Sequence, residues 1–192
     1  VETSFVITCI HMGEYLGPNA SAGAKLITSS WQRPDNLCGP AGAKVNGSYV
    51  TSTIAKREAV RQGADEAIML NSVGHVAECT GENIFMYRHG EIITPSTAES
   101  ILEGITRDSI IKVARDMGYT VREIPVSRFM LSSSDEVWMT GTAAEIAPVT
   151  MLDGKPVGDG KIGEVASKLH AKFREIATGA DPKYEQWLYY VN

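Results

Sequence analysis

The sequence predicts an α+β fold, and three observations carry that reading. Short β-prone segments cluster along the chain instead of alternating regularly with helices, which disfavours a doubly wound sheet. Three longer stretches read as helices, two of them with apolar residues at clear helical spacing. Composition is that of a globular protein, 43% hydrophobic and 21% charged over 192 residues, enough for one large domain or two small ones with a sizeable core.

The elements follow in order. Phe5 to Ile10 and Lys25 to Ser30 read as strands, and the Gly/Pro-rich stretch from Pro34 to Gly47 as a loop. A helix is expected from Tyr49 to Gln62, stopped by Gly63. Glu66 to Asn71, His75 to Thr80 and Asn83 to Arg88 are short strands, and His89-Gly90 is a hairpin turn into Glu91 to Pro95. The second helix runs from Thr106, its expected N-cap, to Met117, with Ile110, Val113, Ala114 and Met117 on one face and Gly118 as its end. Strands at Tyr119 to Val126 and Glu136 to Gly141 come next, then Ala147 to Leu152 paired with Lys155 to Val157 across Asp153-Gly154. A last helix spans Lys161 to Thr178, with Ile162, Val165, Ala166, Leu169, Phe173 and Ile176 on one face.

Charge and cysteine usage narrow the function classes. Eighteen Lys and Arg against 23 Asp and Glu leave a net charge of −5, without the clustered cations of a nucleic-acid surface. No apolar run approaches the ~18 to 20 residues of a membrane span. Cys9, Cys38 and Cys79 are an odd number without C-x-x-C spacing, and the four histidines lack ligand spacing. A reducing cytoplasm and no protein-bound metal are the expectations. The chain opens without Met on an apolar run, which reads as a fragment or as the ordered part of a longer chain.

Three features could carry chemistry. Lys44 is the only formally charged residue between Asp35 and Lys56, among small uncharged neighbours. An ammonium there loses hydration, which favours the neutral nucleophilic amine of a Schiff-base lysine, although a solvated loop lysine is the commoner local reading. Glu78 sits in a mostly apolar strand, where a carboxylate pairs with a cation, shifts its pKa or faces solvent at an edge. Strict alternation would put Val76, Glu78 and Thr80 on one face. Leu102-Glu103-Gly104-Ile105-Thr106 and Met139-Thr140-Gly141-Thr142-Ala143 could each present N–H groups to an anion, or serve only as a cap and a tight turn. P-loop and dinucleotide-binding glycine patterns are absent.

Taken together and in this order, the segments carry a resemblance. Gly13-Glu14-Tyr15-Leu16-Gly17, Ser29-Ser30-Trp31-Gln32-Arg33, Ala43-Lys44-Val45-Asn46-Gly47-Ser48-Tyr49, Glu78-Cys79-Thr80-Gly81-Glu82-Asn83, Leu102 to Asp108 and Asp135 to Ile146 resemble the class IV, fold-type IV pyridoxal-phosphate (PLP) aminotransferases. The chain looks most like their branched-chain amino acid subgroup, and the similarity reaches its end. The resemblance implies the large PLP-binding domain over residues 1–192, a mixed, barrel-like sheet with surrounding helices similar to D-amino acid aminotransferase. The family's smaller N-terminal domain has no counterpart in these residues.

By position, the resemblance makes Lys44 the cofactor-bearing lysine and the base of the 1,3-proton shift. Tyr49 would bond the phenolic oxygen and Glu78 the pyridine nitrogen, while Leu102 would pack on the ring. Gly104, Ile105, Thr106 and Thr142 would surround the phosphate. Gly141 and Gly81 would allow close approach of cofactor and substrate, Thr142 and Ala143 would face the substrate carboxylate, and Tyr15 would line the side-chain pocket. The implied activity moves an amino group from Leu, Ile or Val to 2-oxoglutarate in a cytoplasmic homodimer. Related alternatives are a D-amino acid or R-amine transaminase or an aminodeoxychorismate lyase. A non-catalytic binding module on the same fold is a distant one.

Overall fold

A computed structural model describes residues 3–11 and 22–191. Among them nine strands form one mixed sheet: β1 (Ala24–Thr28), β2 (Glu66–Leu70), β3 (Val76–Cys79), β4 (Asn83–Arg88), β5 (Glu91–Thr94), β6 (Thr120–Glu123), β7 (Glu136–Gly141), β8 (Glu145–Leu152) and β9 (Lys155–Pro156). Their order is β3-β2-β1-β8-β7-β4-β5-β6, with β9 added to β8. β1 runs parallel to both β2 and β8, and β5 parallel to β6, while the remaining pairs are antiparallel. The ends of this path approach each other, since Val76 N–H donates to Val126 O at 2.8 Å just beyond β6. The sheet is therefore curled, as the α+β, barrel-like expectation requires.

Period-2 alternation sorts side chains onto the two faces of this curl. Ile84 and Met86 of β4, and Val137 and Met139 of β7, join the cluster inside it, together with Leu26, Ile68 and Val149. Phe85 and Trp138 point the other way and stack with ring centroids 5.8 Å apart. Over them lie α2 (Ile105–Asp116) and α4 (Glu164–Ala177), through Ile110, Val113, Ala114, Val165, Ala166 and Leu169. α1 (Val50–Arg61) covers β2 separately, and the small residues Ala55 and Ala59 let it sit close to Ala67 and Met69.

Most predicted elements form within a few residues of their expected bounds. His89 and Gly90 both take positive φ, 52° and 81°, as a two-residue turn matching strand twist demands. The exceptions have local causes. Phe5 to Ile10 forms no strand, because no neighbouring strand among the described residues pairs with it, and Phe5, Val6, Ile7 and Ile10 stay exposed. Gly104, not Thr106, caps α2: it holds extended backbone (φ −66°, ψ 136°) while Thr106 lies buried in the first turn. α4 starts later than expected because the Glu136 carboxylate accepts the N–H groups of Val165 and Ala166, at 3.0 and 2.9 Å. A Cβ on the preceding Gly163 would collide with that same carboxylate. The short α3 (Arg128–Ser132), capped by the Ser127 side chain, is too brief to show a period in the sequence.

Trp138 is fully buried and fills the space under α2 and α4. Trp138→Ala should cost about 3–5 kcal/mol, measured as the loss of unfolding free energy in urea.

Candidate active site

The outer face of the sheet carries α1 on one side and α2 with α4 on the other, and Lys44, Tyr49, Glu78 and Leu102 of the predicted site gather between them. Lys44 sits in the Gly/Pro-rich loop just before a short 3-10 turn (Asn46–Tyr49) that runs into α1. That turn brings Lys44 Nζ to 3.4 Å from the Tyr49 hydroxyl and 4.9 Å from the centre of its ring. Both side chains are reachable from solvent.

Glu78 is 3% exposed, which removes the solvent-facing alternative. It does not share a face with Val76. A bulge between Met69 and Leu70 pairs Met69 with Glu78 but Leu70 with Val76. Val76 therefore joins the cluster inside the curl, while Glu78 lies on the helix-covered face beside Met69. Its Oε1 pairs with Arg33 Nη2 at 2.9 Å. Its Oε2 accepts from Asn83 Nδ2 at 2.8 Å and from the Leu102 N–H at 3.0 Å. Burial nonetheless pushes the carboxyl up to about 7. Glu82 adds to the rise, while Arg33, the Leu102 N–H and Lys44 oppose it.

Arg33 is the hub that sequence reading does not assign. Only 3% exposed, it lies 5.2 Å from the Tyr49 ring centre, so it joins the Lys44–Tyr49 pair to Glu78. Nη1 donates to Ser52 Oγ of α1 at 3.1 Å, and Nε to the carbonyl of Ser100 at 3.4 Å. Asn83 is likewise unassigned by the sequence. Besides bonding Glu78, its amide donates to Leu102 O at 2.8 Å, fixing the loop that leads into α2. Arg33 closes the Ser29-to-Arg33 motif and Asn83 the Glu78-to-Asn83 motif, and that position is their only sequence signal.

The remaining residues flank this centre. Gly104 passes so close to Asn83 that a Cβ would collide with its Oδ1. It opens α2, whose first turn, Ile105 and Thr106, has no side-chain cap and so offers N–H groups to an anion. Gly141 ends β7 one residue past Thr140, which pairs with Asn83, and a Cβ there would be 3.8 Å from the Gly81 carbonyl. Gly81 and Gly141 thus lie at one end of the sheet. Thr142 and Ala143 form the exposed turn into β8, held from behind by Glu145, which pairs with His170 and Arg174 at 2.9 and 2.7 Å. Tyr15, with Gly13 to Gly17, lies outside the described residues. Among the described residues no group of three His, Cys, Asp or Glu could hold a metal, and no helix is long and apolar enough to cross a membrane.

Comparison with known proteins adds three findings. The model of the family described as amino-transferase class IV matches residues 6–152. The chain is 44% identical over 177 residues to a probable branched-chain-amino-acid aminotransferase of Aquifex aeolicus, and 39% identical over 191 residues to one from Synechocystis sp.. Those alignments cover 92% and 100% of this chain but 56% and 61% of the relatives, so the chain spans somewhat over half their length. The crystal structure of a branched-chain aminotransferase from the archaeon Thermoproteus uzoniensis, with norvaline, superposes with a TM-score of 0.88 at 39% identity, covering 94% of this chain and 59% of that one.

Two outcomes are expected from this geometry. Gly104→Ala should displace Asn83 and lower stability by about 1–3 kcal/mol in urea titrations. The second concerns Glu78, whose folded pKa near 7 lies above its ordinary 4.5. The folded protein then holds a proton that the unfolded chain has released, so Glu78 withdraws stability as pH rises from about 4.5 to 7. The stability of the cofactor-free protein relative to Glu78→Gln should fall across that window and level off above it. A difference that stays flat would contradict the assignment.

Proposed function

Because the chain belongs to the class IV aminotransferases, a PLP-dependent family, we propose that residues 1–192 are the large, cofactor-binding domain of a transaminase acting on Leu, Ile and Val with 2-oxoglutarate. The observation that carries this reading is the single connected set Lys44–Tyr49–Arg33–Glu78, a solvent-reachable amine at one end and a buried carboxylate at the other.

The residues present fit the cofactor. An ionised carboxylate offers about four acceptor positions. Three donors on Glu78 leave one, on the Oε1 that Arg33 already orients. That position suits the N–H of a protonated pyridine ring. The uncapped first turn of α2 suits the phosphate through the N–H groups of Ile105 and Thr106, with Gly104 beside them and Thr142 from the β7–β8 turn. Leu102, tied to Glu78 by its own N–H, would pack on the ring face.

When bound, PLP supplies an electrophilic aldehyde and a ring that withdraws electrons from the substrate carbon. The protein supplies everything else. Lys44 Nζ would supply the amine that condenses with the aldehyde, water leaving, and, once displaced by the substrate's amine, would take the proton from the substrate Cα and hand it to the carbon that had been the aldehyde. The Tyr49 hydroxyl, beside that amine, orients it and bonds the phenolic oxygen. Glu78 holds the ring-nitrogen proton by accepting its hydrogen bond. Gly81 and Gly141 would allow close approach at the substrate end, where Thr142 and Ala143 N–H groups would meet its carboxylate, and the resemblance assigns Tyr15 to the side-chain pocket. The same reading makes the protein a cytoplasmic homodimer.

The full-length protein mixed with PLP should develop a visible absorption band. Lys44→Ala should lose that band and drop multiple-turnover transamination by at least about 10²–10⁴-fold. A Lys44→Ala enzyme that keeps turning over would sink the proposal. Parallel assays with L-Leu, D-Ala, R-1-phenylethylamine and aminodeoxychorismate fix the substrate class, and turnover confined to any of the last three refutes the branched-chain reading.

A further inference from the structure

The buried guanidinium of Arg33 takes no part in the proton transfers described so far, yet it touches Tyr49 and Glu78, two of the groups involved. We propose that Arg33 is a positioning residue that favours the ionised form of Glu78 and aims the open acceptor position of Oε1 at the ring nitrogen. This rests on the proposed role of Glu78 as that nitrogen's partner.

Geometry supports the assignment from both sides. The guanidinium is planar and is fixed at three corners: Ser52 Oγ on Nη1, the Ser100 carbonyl on Nε, and Glu78 Oε1 on Nη2. Ser100 itself holds a left-handed conformation, φ 61°, that turns its carbonyl to this task. A fork held at two corners cannot follow Glu78, so Glu78 must follow it. Oε2 is taken up by Asn83 and Leu102. The carboxylate plane is then set, and the direction of its last acceptor position with it.

Charge supports it as well. The charged groups acting on Glu78 are Arg33, Lys44 and Glu82, and the buried thiol of Cys79 adjoins it in β3. Glu82 opposes ionisation, and Lys44 is exposed on a loop, so Arg33 is the one buried cation among them that favours it. Without Arg33, burial would leave Glu78 protonated at neutral pH. A protonated carboxyl donates where the ring nitrogen needs an acceptor, so the nitrogen would lose its proton.

Carbon NMR of the Glu78 carboxyl in the cofactor-free full-length protein reads the first step directly. The titration midpoint, near 7 in the unaltered protein, should rise by at least about one pH unit in Arg33→Met. It should stay within about half a unit in Arg33→Lys, which keeps the charge. PLP affinity, read from cofactor absorbance, should fall roughly tenfold or more in Arg33→Met, with no further loss when Glu78→Gln is already present. Should Arg33→Met fail to fold, Arg33→Gln must show the same rise. An unchanged midpoint in a folded neutral variant overturns the proposal. So does an affinity loss that persists in full on the Glu78→Gln background, which would mark Arg33 as a purely structural pin. If the unaltered protein binds no PLP, the reading of Glu78 as the ring-nitrogen partner fails, while the NMR titration still decides whether Arg33 controls its charge.

Discussion

The buried ion pair between Arg33 and Glu78 is the contact around which the site is organised. Two charges withdrawn from water cost several kcal/mol each unless they meet in good geometry with their other polar atoms satisfied. Here they do. Glu78 receives two further donors and Arg33 gives two further hydrogen bonds, and those bonds reach α1, the Ser100 turn, β4 and the loop before α2. One pair thereby ties three separate stretches of chain, α1, β4 and the loop from Ser100 to Leu102, to a single point.

Glu78 is not the only buried carboxylate on this side of the molecule, and the contrast is instructive. Glu66, at the start of β2, is closed off by Lys56, Thr80 and the Ala67 N–H, at 2.6, 2.6 and 2.7 Å. Glu99 is bonded by Asn71 at 2.6 Å and faces His75 at 3.0 Å. Both fasten turns: Glu66 fastens the one holding Thr80 and Gly81, Glu99 the one between β2 and β3. Glu78 differs in lying between a cation and an open acceptor position, with a proton affinity poised near neutrality. That combination is what separates a group available for chemistry from a structural brace.

Local pattern explains why much of this is legible in the sequence. β4 and β7 can be read to the residue, since period-2 alternation and the His89-Gly90 turn leave little freedom in register. Lys44, Tyr49 and Glu78 stand out through their order along the chain, and the structure brings them into one network. What escapes is non-local. Arg33 meets Glu78 only because β1 and β2 run in parallel and α1 returns between them, and no short window of sequence contains both residues. Phe5 to Ile10 fails for a related reason: its composition suits a strand, but a strand exists only where another offers its edge.

The bulge in β3 has a consequence for how such a chain can change over time. Its extra residue is Ala77, which lies between Val76 opposite Leu70 and Glu78 opposite Met69. The two halves of the strand thereby answer to different demands: Val76 meets the Val126 carbonyl where the curl closes, and Glu78 meets Arg33. Losing Ala77 would remove the bulge yet leave both of those cross-strand pairs opposed and both side chains on their present faces. A residue gained between Glu78 and Asn83 has no such outlet, because it would part the carboxylate from the amide that holds it. Lineages of this fold can therefore be expected to vary in length before Glu78 and to keep the five-residue step from Glu78 to Asn83 fixed.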